Sequence, residues 1–220
     1  MKNDIKTTVN AEEIFSEIYR KKLWGGDGRD FYSGRGSEHF NTEIYRKYLQ
    51  DFIRQRNITS VVDVGCGDFQ LGSLINWQNV EYTGIDVVGE LIKKNNEFYS
   101  TKNIKFIRRD VLCDNLPSAD LCLMRQVLQH FCNEDIRKVL PKLQKYKYVL
   151  ITDGLPVSTP RVKNVDKPTD HHNRCFHRYR SGLYLEAPPF NLEGQVVLNY
   201  TDRSKTENFR TILVDRSLSD

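Results

Sequence analysis

Five short runs rich in β-branched and aromatic residues alternate with stretches of helical spacing between residues 58 and 152. The runs are ITSVVDV (58–64), EYTGIDV (81–87), IKFIRRD (104–110), ADLCLM (119–124) and YKYVLIT (146–152). Between them, 69–77, 88–99, 126–132 and 133–145 read as helices. Strands alternating with helices are joined by crossovers, and crossovers make neighbouring strands parallel. Two more runs, QVVLNY (195–200) and FRTILVD (209–215), flank a polar turn and predict an antiparallel terminal hairpin. The expected fold is α/β: a Rossmann-like seven-stranded sheet, mostly parallel, with helices on both faces.

Upstream, Ile14, Ile18 and Leu23 within 11–23, and Phe40, Ile44, Tyr48 and Phe52 within 38–56, predict two amphipathic helices. The segment 24–37 between them holds five glycines together with Trp24, Phe31 and Tyr32. Residues 154–192 carry five of the seven prolines and no clear period, which marks a long insertion of the kind used as a lid or binding loop. The expected organisation is a single domain. Residues 1–56 supply helices and a glycine-rich capping segment, 57–220 the core, and 154–192 a substrate-binding insertion.

A chain of 220 residues, 39% hydrophobic and 28% charged, buries a core without disulfide or metal staples. Its cysteines (Cys66, Cys113, Cys122, Cys132 and Cys175) are odd in number and form no C-x-x-C pair, as in a reducing compartment. No apolar run approaches the roughly 20 residues that span a bilayer, and MKNDIKTTVNAEE lacks the apolar core of a signal peptide. A cytoplasmic protein with no membrane partner is expected. The net charge of +4 is too mild to announce a nucleic-acid binder.

The sharpest local signal is Val61-Val62-Asp63-Val64-Gly65-Cys66-Gly67-Asp68, a strand running into a glycine turn. Glycines admit a ligand close to the backbone, and N–H groups at a following helix start favour polar or anionic groups. Asp86, 19 residues after Gly67 at the end of EYTGI, is placed to accept both hydroxyls of a ribose. Asp110, a further 24 residues on at the end of IKFIRR, could accept from an adenine amino group. Singly each acid reads as a cap or loop carboxylate; in this order on successive strand ends they outline a nucleoside pocket.

These residues resemble the motifs of class I S-adenosylmethionine-dependent methyltransferases. VVDVGCGD is similar to their first motif, GID (84–86) to the second, RRDVL with Asp110 to the third and ADLCLMRQVLQHF to the fourth; the likeness covers roughly 58–153. The usual third glycine of the first motif is Phe69 here. Trp24 with SGRGS (33–37), N-x-D-K (Asn164–Lys167) and SGLYLEAPPF (181–190) resemble a subgroup that often acts on small molecules. The resemblance implies S-adenosylmethionine as methyl donor, S-adenosylhomocysteine as product, and 24–37 folded over the donor. It places Asp63, Gly65, Cys66, Gly67, Asp68, Asp86, Val87, Asp110, Val111, Arg125, Gln126, Trp24 and Ser33 around that ligand.

The candidate catalytic residues are His130 after the fourth strand, Asp153 at the end of the fifth, and Arg180 in the insertion. Each also has a bland interpretation, as a helix-end imidazole, a loop carboxylate and a solvated cation. Residues 154–182 hold six Lys or Arg against two acids, the whole net charge of the chain. That excess suits a small anionic substrate such as a carboxylate, phosphate or phosphorylated sugar. Candidate substrate residues are Tyr32, Arg35, Asn164, Asp166, Lys167, Arg174, Arg178 and Tyr184. Asp170, His171, His172, Cys175 and His177 are metal-ligand types, yet their spacing matches no standard site, so no metal is expected. The function expected is methyl transfer to an oxygen or nitrogen of a small molecule. An RNA or protein methyltransferase and a non-catalytic cofactor-binding protein of the same fold are the alternatives; no nucleic-acid module accompanies the core, so a nucleic-acid partner is not expected.

Overall fold

The computed structural model describes residues 10–176 and 179–217. Parallel strands β1 (Ser60–Val64), β2 (Glu81–Asp86), β3 (Ile104–Arg108), β4 (Leu121–Arg125) and β5 (Tyr148–Pro156) are joined to β6 (Gln195–Thr201) and β7 (Glu207–Asp215) in one seven-stranded sheet. The spatial order is β3-β2-β1-β4-β5-β7-β6, with β7 antiparallel to both β5 and β6. The order reverses between β1 and β4, and α/β sheets bind ligands in the crevice outside the strand ends at such a point.

Successive strand residues serve opposite faces. Val61, Leu121, Leu123, Tyr148 and Leu150 pack with Tyr45, Leu49, Phe52 and Ile53 of the helix α2 (His39–Gln55) and with Ile92 of α3 (Gly89–Tyr99). Val62, Cys122, Met124, Val149 and Ile151 pack on the other face with Ile136 and Val139 of α4 (Asn133–Val139). Near-continuous burial along β4 and β5 is what a sheet covered on both sides requires. Helix α1 (Ala11–Arg20) is capped by Asn10, whose side chain accepts from the Glu12 N–H, and it sets Phe15 and Tyr19 beside the strand ends, Phe15 5.8 Å from the Phe131 ring.

The segment 69–77 departs from its expected helix. Phe69 turns left-handed (φ 58°) and buries its ring against Tyr82 and Phe106, while Trp77 donates its indole N–H to the Gly72 carbonyl at 2.8 Å. A Cβ on Gly72 would lie 2.2 Å from the Phe69 ring, so the chain folds into an aromatic plug with one 3-10 turn at Gly72–Leu74. The glycine turn after β1 is therefore not a helix start: its Gly65 and Cys66 N–H groups donate to the Ile85 carbonyl at 2.8 and 3.0 Å, and its Gly67 N–H donates to the Asp86 carboxylate. Residues 126–132 likewise hold only a 3-10 turn at Leu128–His130, and 133–145 change from α4 to a 3-10 stretch at Leu140–Lys145, where Pro141 takes an early position. β5 continues to Pro156 because β7 pairs with it along its whole length, so the insertion starts later than expected. Among the described residues, no helix is long and apolar enough to cross a membrane.

Candidate active site

A cavity of about 310 Å3 opens at the strand ends around the switch point. That is the lower end of the range for small-molecule and cofactor sites. Gly65, Cys66 and Gly67 after β1, Asp86 and Val87 after β2, and Arg109, Asp110 and Val111 after β3 line one end. Gln129, His130, Phe131, His171, Asn173, Phe176 and Glu207 line the other. Phe15, Tyr19, Trp24 and Ser33–Ser37 lie across it, with Arg125 and Gln126 at the middle.

Asp86 is fixed by backbone donors: the Gly67 N–H donates to Oδ2 at 3.2 Å and the Val88 N–H to Oδ1 at 3.1 Å. Burial pushes its carboxyl up to about 6, and the backbone donors only partly offset that. Gly65 requires its own residue type twice over. Its φ is +72°, and a Cβ there would stand 2.4 Å from Val127 Cγ2. Asp110 accepts from the Leu112 N–H at 2.8 Å and lines the same end. A bare glycine turn beside an acid held in place by two N–H groups fits the ribose of a nucleoside, and the first end of the cavity accommodates such a ligand.

The capping segment is tied down at both sides. The Asp68 N–H donates to Ser33 Oγ at 2.8 Å, and the Ser33 N–H returns to Asp68 Oδ2 at 3.3 Å. Arg125 donates to the Gly36 carbonyl at 2.8 Å and lies over the rings of Tyr45 and Phe209. Gly36 packs so closely that a Cβ would meet Gln126 Oε1 at 1.9 Å. Trp24 donates its indole N–H to the His171 carbonyl at 3.0 Å, so the capping segment and the insertion meet above the cavity.

Of the residues singled out in the sequence, the structure gathers Trp24, Ser33, Arg35, Gly65, Cys66, Gly67, Asp86, Val87, Asp110, Val111, Arg125, Gln126 and His130 around this cavity. His130 is buried, its ring 5.1 Å from Trp24; burial, with the Lys167 charge, holds its imidazole down to about 3, so it is neutral at pH 7. Asp63 and Asp68 stand behind the wall. Asp63 accepts from the Tyr82 hydroxyl at 2.7 Å, and Asp68 serves the capping segment. Asp153 is buried off the cavity, accepting from the Gln129 N–H at 3.2 Å, and burial pushes its carboxyl up to about 8.

The basic insertion is turned inward. Arg174 is fully buried and donates to the carbonyls of Val165 and Phe131 at 2.6 and 2.5 Å. Lys167 donates to the carbonyls of His130 (3.0 Å) and Pro168 (2.6 Å) and pairs with Asp170 at 2.9 Å. Asp166 accepts from the Asn133 N–H at the start of α4 (2.7 Å), and Asn164 binds the backbone at Tyr184 through both side-chain atoms. Tyr184 lies outside the cavity beneath Lys163 and Arg210, Arg180 is exposed, and Tyr32 donates to Glu38 at 2.7 Å. Arg178 and His177 fall outside the described residues. Thus four of the eight expected substrate residues, Asn164, Asp166, Lys167 and Arg174, hold the insertion's own fold. Among the described residues no group of His, Cys, Asp and Glu is arranged to hold a metal ion.

Phe15, Tyr19, Arg109, Gln129, His171, Asn173, Phe176 and Glu207 line the cavity without having been singled out for it. Gln129 stands inside the RQVLQHF run and was within reach of motif reasoning. Glu207 was not: its place follows from β7 pairing antiparallel with β5, opposite Pro156.

The structure is an α/β protein with a crevice at the switch point of its sheet and a carboxylate, Asp86, held there by two backbone N–H groups. A family model described as a methyltransferase domain matches residues 61–146. The N-methyltransferase NodS from Bradyrhizobium japonicum WM9, solved with S-adenosylhomocysteine, superposes with a TM-score of 0.61 at 13% identity over 93% of this chain and 97% of its own. Magnesium protoporphyrin IX methyltransferase from Synechocystis PCC 6803, also with S-adenosylhomocysteine, gives 0.58 at 12% identity over 92% and 96%. The N-terminal domain of EvdMO1, crystallised in the presence of S-adenosylhomocysteine and D-fucose, gives 0.56 at 13% over 94% and 99%. No curated protein sequence matches the chain. Residues 61–146 thus match a methyltransferase-domain model, and the chain has the fold of the class I, S-adenosylmethionine-dependent methyltransferases.

Proposed function

We propose that the protein transfers a methyl group from S-adenosylmethionine to an oxygen or nitrogen of a small molecule. The observation that carries this is Asp86, oriented by the Gly67 and Val88 N–H groups at one end of a cavity whose other end is lined by Gln129, His130, Asn173 and Glu207. S-adenosylmethionine, when bound, supplies an electrophilic methyl on a positively charged sulfur. The chain's part is to bind, orient and dry the reactants. Asp86 accepts the ribose hydroxyls, Asp110 and Val111 border the base, and Arg125, held by Gly36 and Gln126, sets a positive charge at the middle of the cavity toward the donor's carboxylate. Trp24, Phe15 and Phe131 exclude water between the two ends. The sequence led us to expect an anionic acceptor, but Arg174 and Lys167 spend their donors on backbone carbonyls. Among the described residues, Arg35, Arg109 and Arg125 are the lysine or arginine side chains that line the cavity.

S-adenosylhomocysteine is expected to raise the melting temperature and NAD to leave it unchanged. A ligand at 100 times its Kd stabilises by about 2.7 kcal/mol, which for a chain of this size is a shift of roughly 5–10 °C. Thermal melts check it; no shift with S-adenosylhomocysteine, or an equal shift with NAD, defeats the proposal.

A further inference from the structure

Glu207 is a buried carboxylate at the acceptor end that donor binding does not use. It opens β7, is 8% exposed, and lines the cavity. Its side chain occupies the space above Gly154: a Cβ on Gly154 would stand 1.6 Å from Glu207 Oε1 and 2.6 Å from its Cδ. Gly154 has no left-handed φ to explain it, so the carboxylate is what excludes a side chain there. Asn173 donates to Oε1 at 3.1 Å, and the Cys175 thiol also donates to the carboxylate. The Glu207 N–H donates to Asp202 Oδ1 at 2.9 Å, which fixes the strand start. Among the described residues, the charged groups facing it include Asp153 from β5, Asp202 from the hairpin turn, Arg125 from β4 and Arg35 from the capping segment. Burial pushes its carboxyl up to about 7, so near neutrality it can both take and release a proton.

We propose that Glu207 accepts the proton of the acceptor's nucleophilic O–H or N–H group, and that this end of the cavity takes a neutral hydroxyl or an amine in preference to a carboxylate or phosphate. The inference rests on the donor assignment above. In the transfer, a lone pair of the oxygen or nitrogen forms the new bond to the methyl carbon. The carbon–sulfur pair returns to sulfur as a neutral thioether, and the displaced proton passes to the Glu207 carboxylate and from there to solvent. An anion set against Glu207 would meet a like charge away from water, where repulsion is strongest. A hydroxyl or ammonium donates to it instead.

The test uses the full chain as wild type, Glu207→Gln and Gly154→Ala, with circular dichroism to confirm folding. In glutamate 13C-labelled wild type loaded with S-adenosylhomocysteine, the carboxyl resonance that Glu207→Gln lacks is expected to titrate near neutrality. S-adenosylhomocysteine affinity should stay within about twofold in Glu207→Gln, because the residue lies at the other end of the cavity. Labelled S-adenosylmethionine is then offered with matched probes: glycerol and glycerol 3-phosphate, ethanolamine and phosphoethanolamine. Transfer is expected to the unphosphorylated member of a pair, to fall about 100-fold or more in Glu207→Gln, and to lose its rise with pH. Gly154→Ala, which displaces the carboxylate, should reproduce the loss with Glu207 intact. The proposal is overturned by a Glu207 carboxyl already ionised throughout above pH 5, by preferred transfer to a phosphorylated probe, or by Glu207→Gln retaining a third of the wild-type rate. Where none of the four probes is methylated, the titration decides alone. Failure of S-adenosylhomocysteine to stabilise the wild type defeats the donor assignment instead.

Discussion

Arg174→Ala is expected to destabilise the chain by about 3–5 kcal/mol, the usual cost of removing one member of a buried charged, hydrogen-bonded set. Arg174 is fully buried, and its guanidinium donates to the carbonyls of Val165 and Phe131, which belong to the insertion and to the turn after β4. Removing it leaves both carbonyls without their donor and takes a cation away from Asp153 and Asp166. A lysine presents a single point charge in place of a planar fork, so Arg174→Lys should recover little of the loss. At roughly 2–4 °C per kcal/mol for a chain of this size, the melting temperature should fall by about 6–20 °C, with amide exchange rising first in 158–184. A fall under about 2 °C, accompanied by weaker binding of an anionic acceptor, would instead restore Arg174 to substrate recognition.

Asp86→Ala should separate binding from stability. Two charge-assisted hydrogen bonds to a ribose are worth about 1.5–3 kcal/mol each, so S-adenosylhomocysteine affinity should drop by a factor on the order of 100 to 10,000. Calorimetric titration reads this directly, and a change below tenfold would remove Asp86 from the ribose. Stability should not fall in parallel. The carboxyl sits at about 6 in the fold, above its ordinary value of 3.8. A raised value means that the folded chain holds its proton more tightly than the unfolded chain, so the group's contribution to stability declines as pH rises from about 4 through 6. The alanine variant lacks that decline. Donor binding runs the opposite way, strengthening as pH rises through 6, because the ionised carboxylate is the better acceptor.

What could be seen in the sequence was local. β1, the glycine turn, Asp86 and Asp110 each occupy a fixed offset within one strand-and-turn unit, and the sheet places such units side by side. Helix α3 was legible for the same reason, since nothing outside 88–99 interrupts its period. Residues 69–77 have an acceptable helical pattern too, but Phe69 gains more from a cluster with Tyr82 and Phe106 than from one helical turn. The insertion misled through its charge. A run of cations looks alike in sequence whether it meets solvent, a ligand or the chain's own carbonyls, and for Arg174 and Lys167 it is the carbonyls. Glu207 was illegible because only the antiparallel register of β7 against β5 brings it to the strand ends.

That reversal of β7 has a consequence for when the site comes into being. Four parallel strands, β1 to β4, offer their C-terminal ends to the cavity, whereas β7 offers its beginning, so Glu207 reaches the others only after the chain has crossed the sheet and turned back. The Trp24–His171 bond spans 147 positions, and the residues that border the cavity run from Ala11 to Glu207. During synthesis the nucleoside end can form once β1 to β3 have paired, but the acceptor end stays without its carboxylate until residue 207 has been made and docked. On the function proposed above, a nascent or clipped chain without β7 would lack the group that takes the proton, and methyl transfer would report that the sheet is complete.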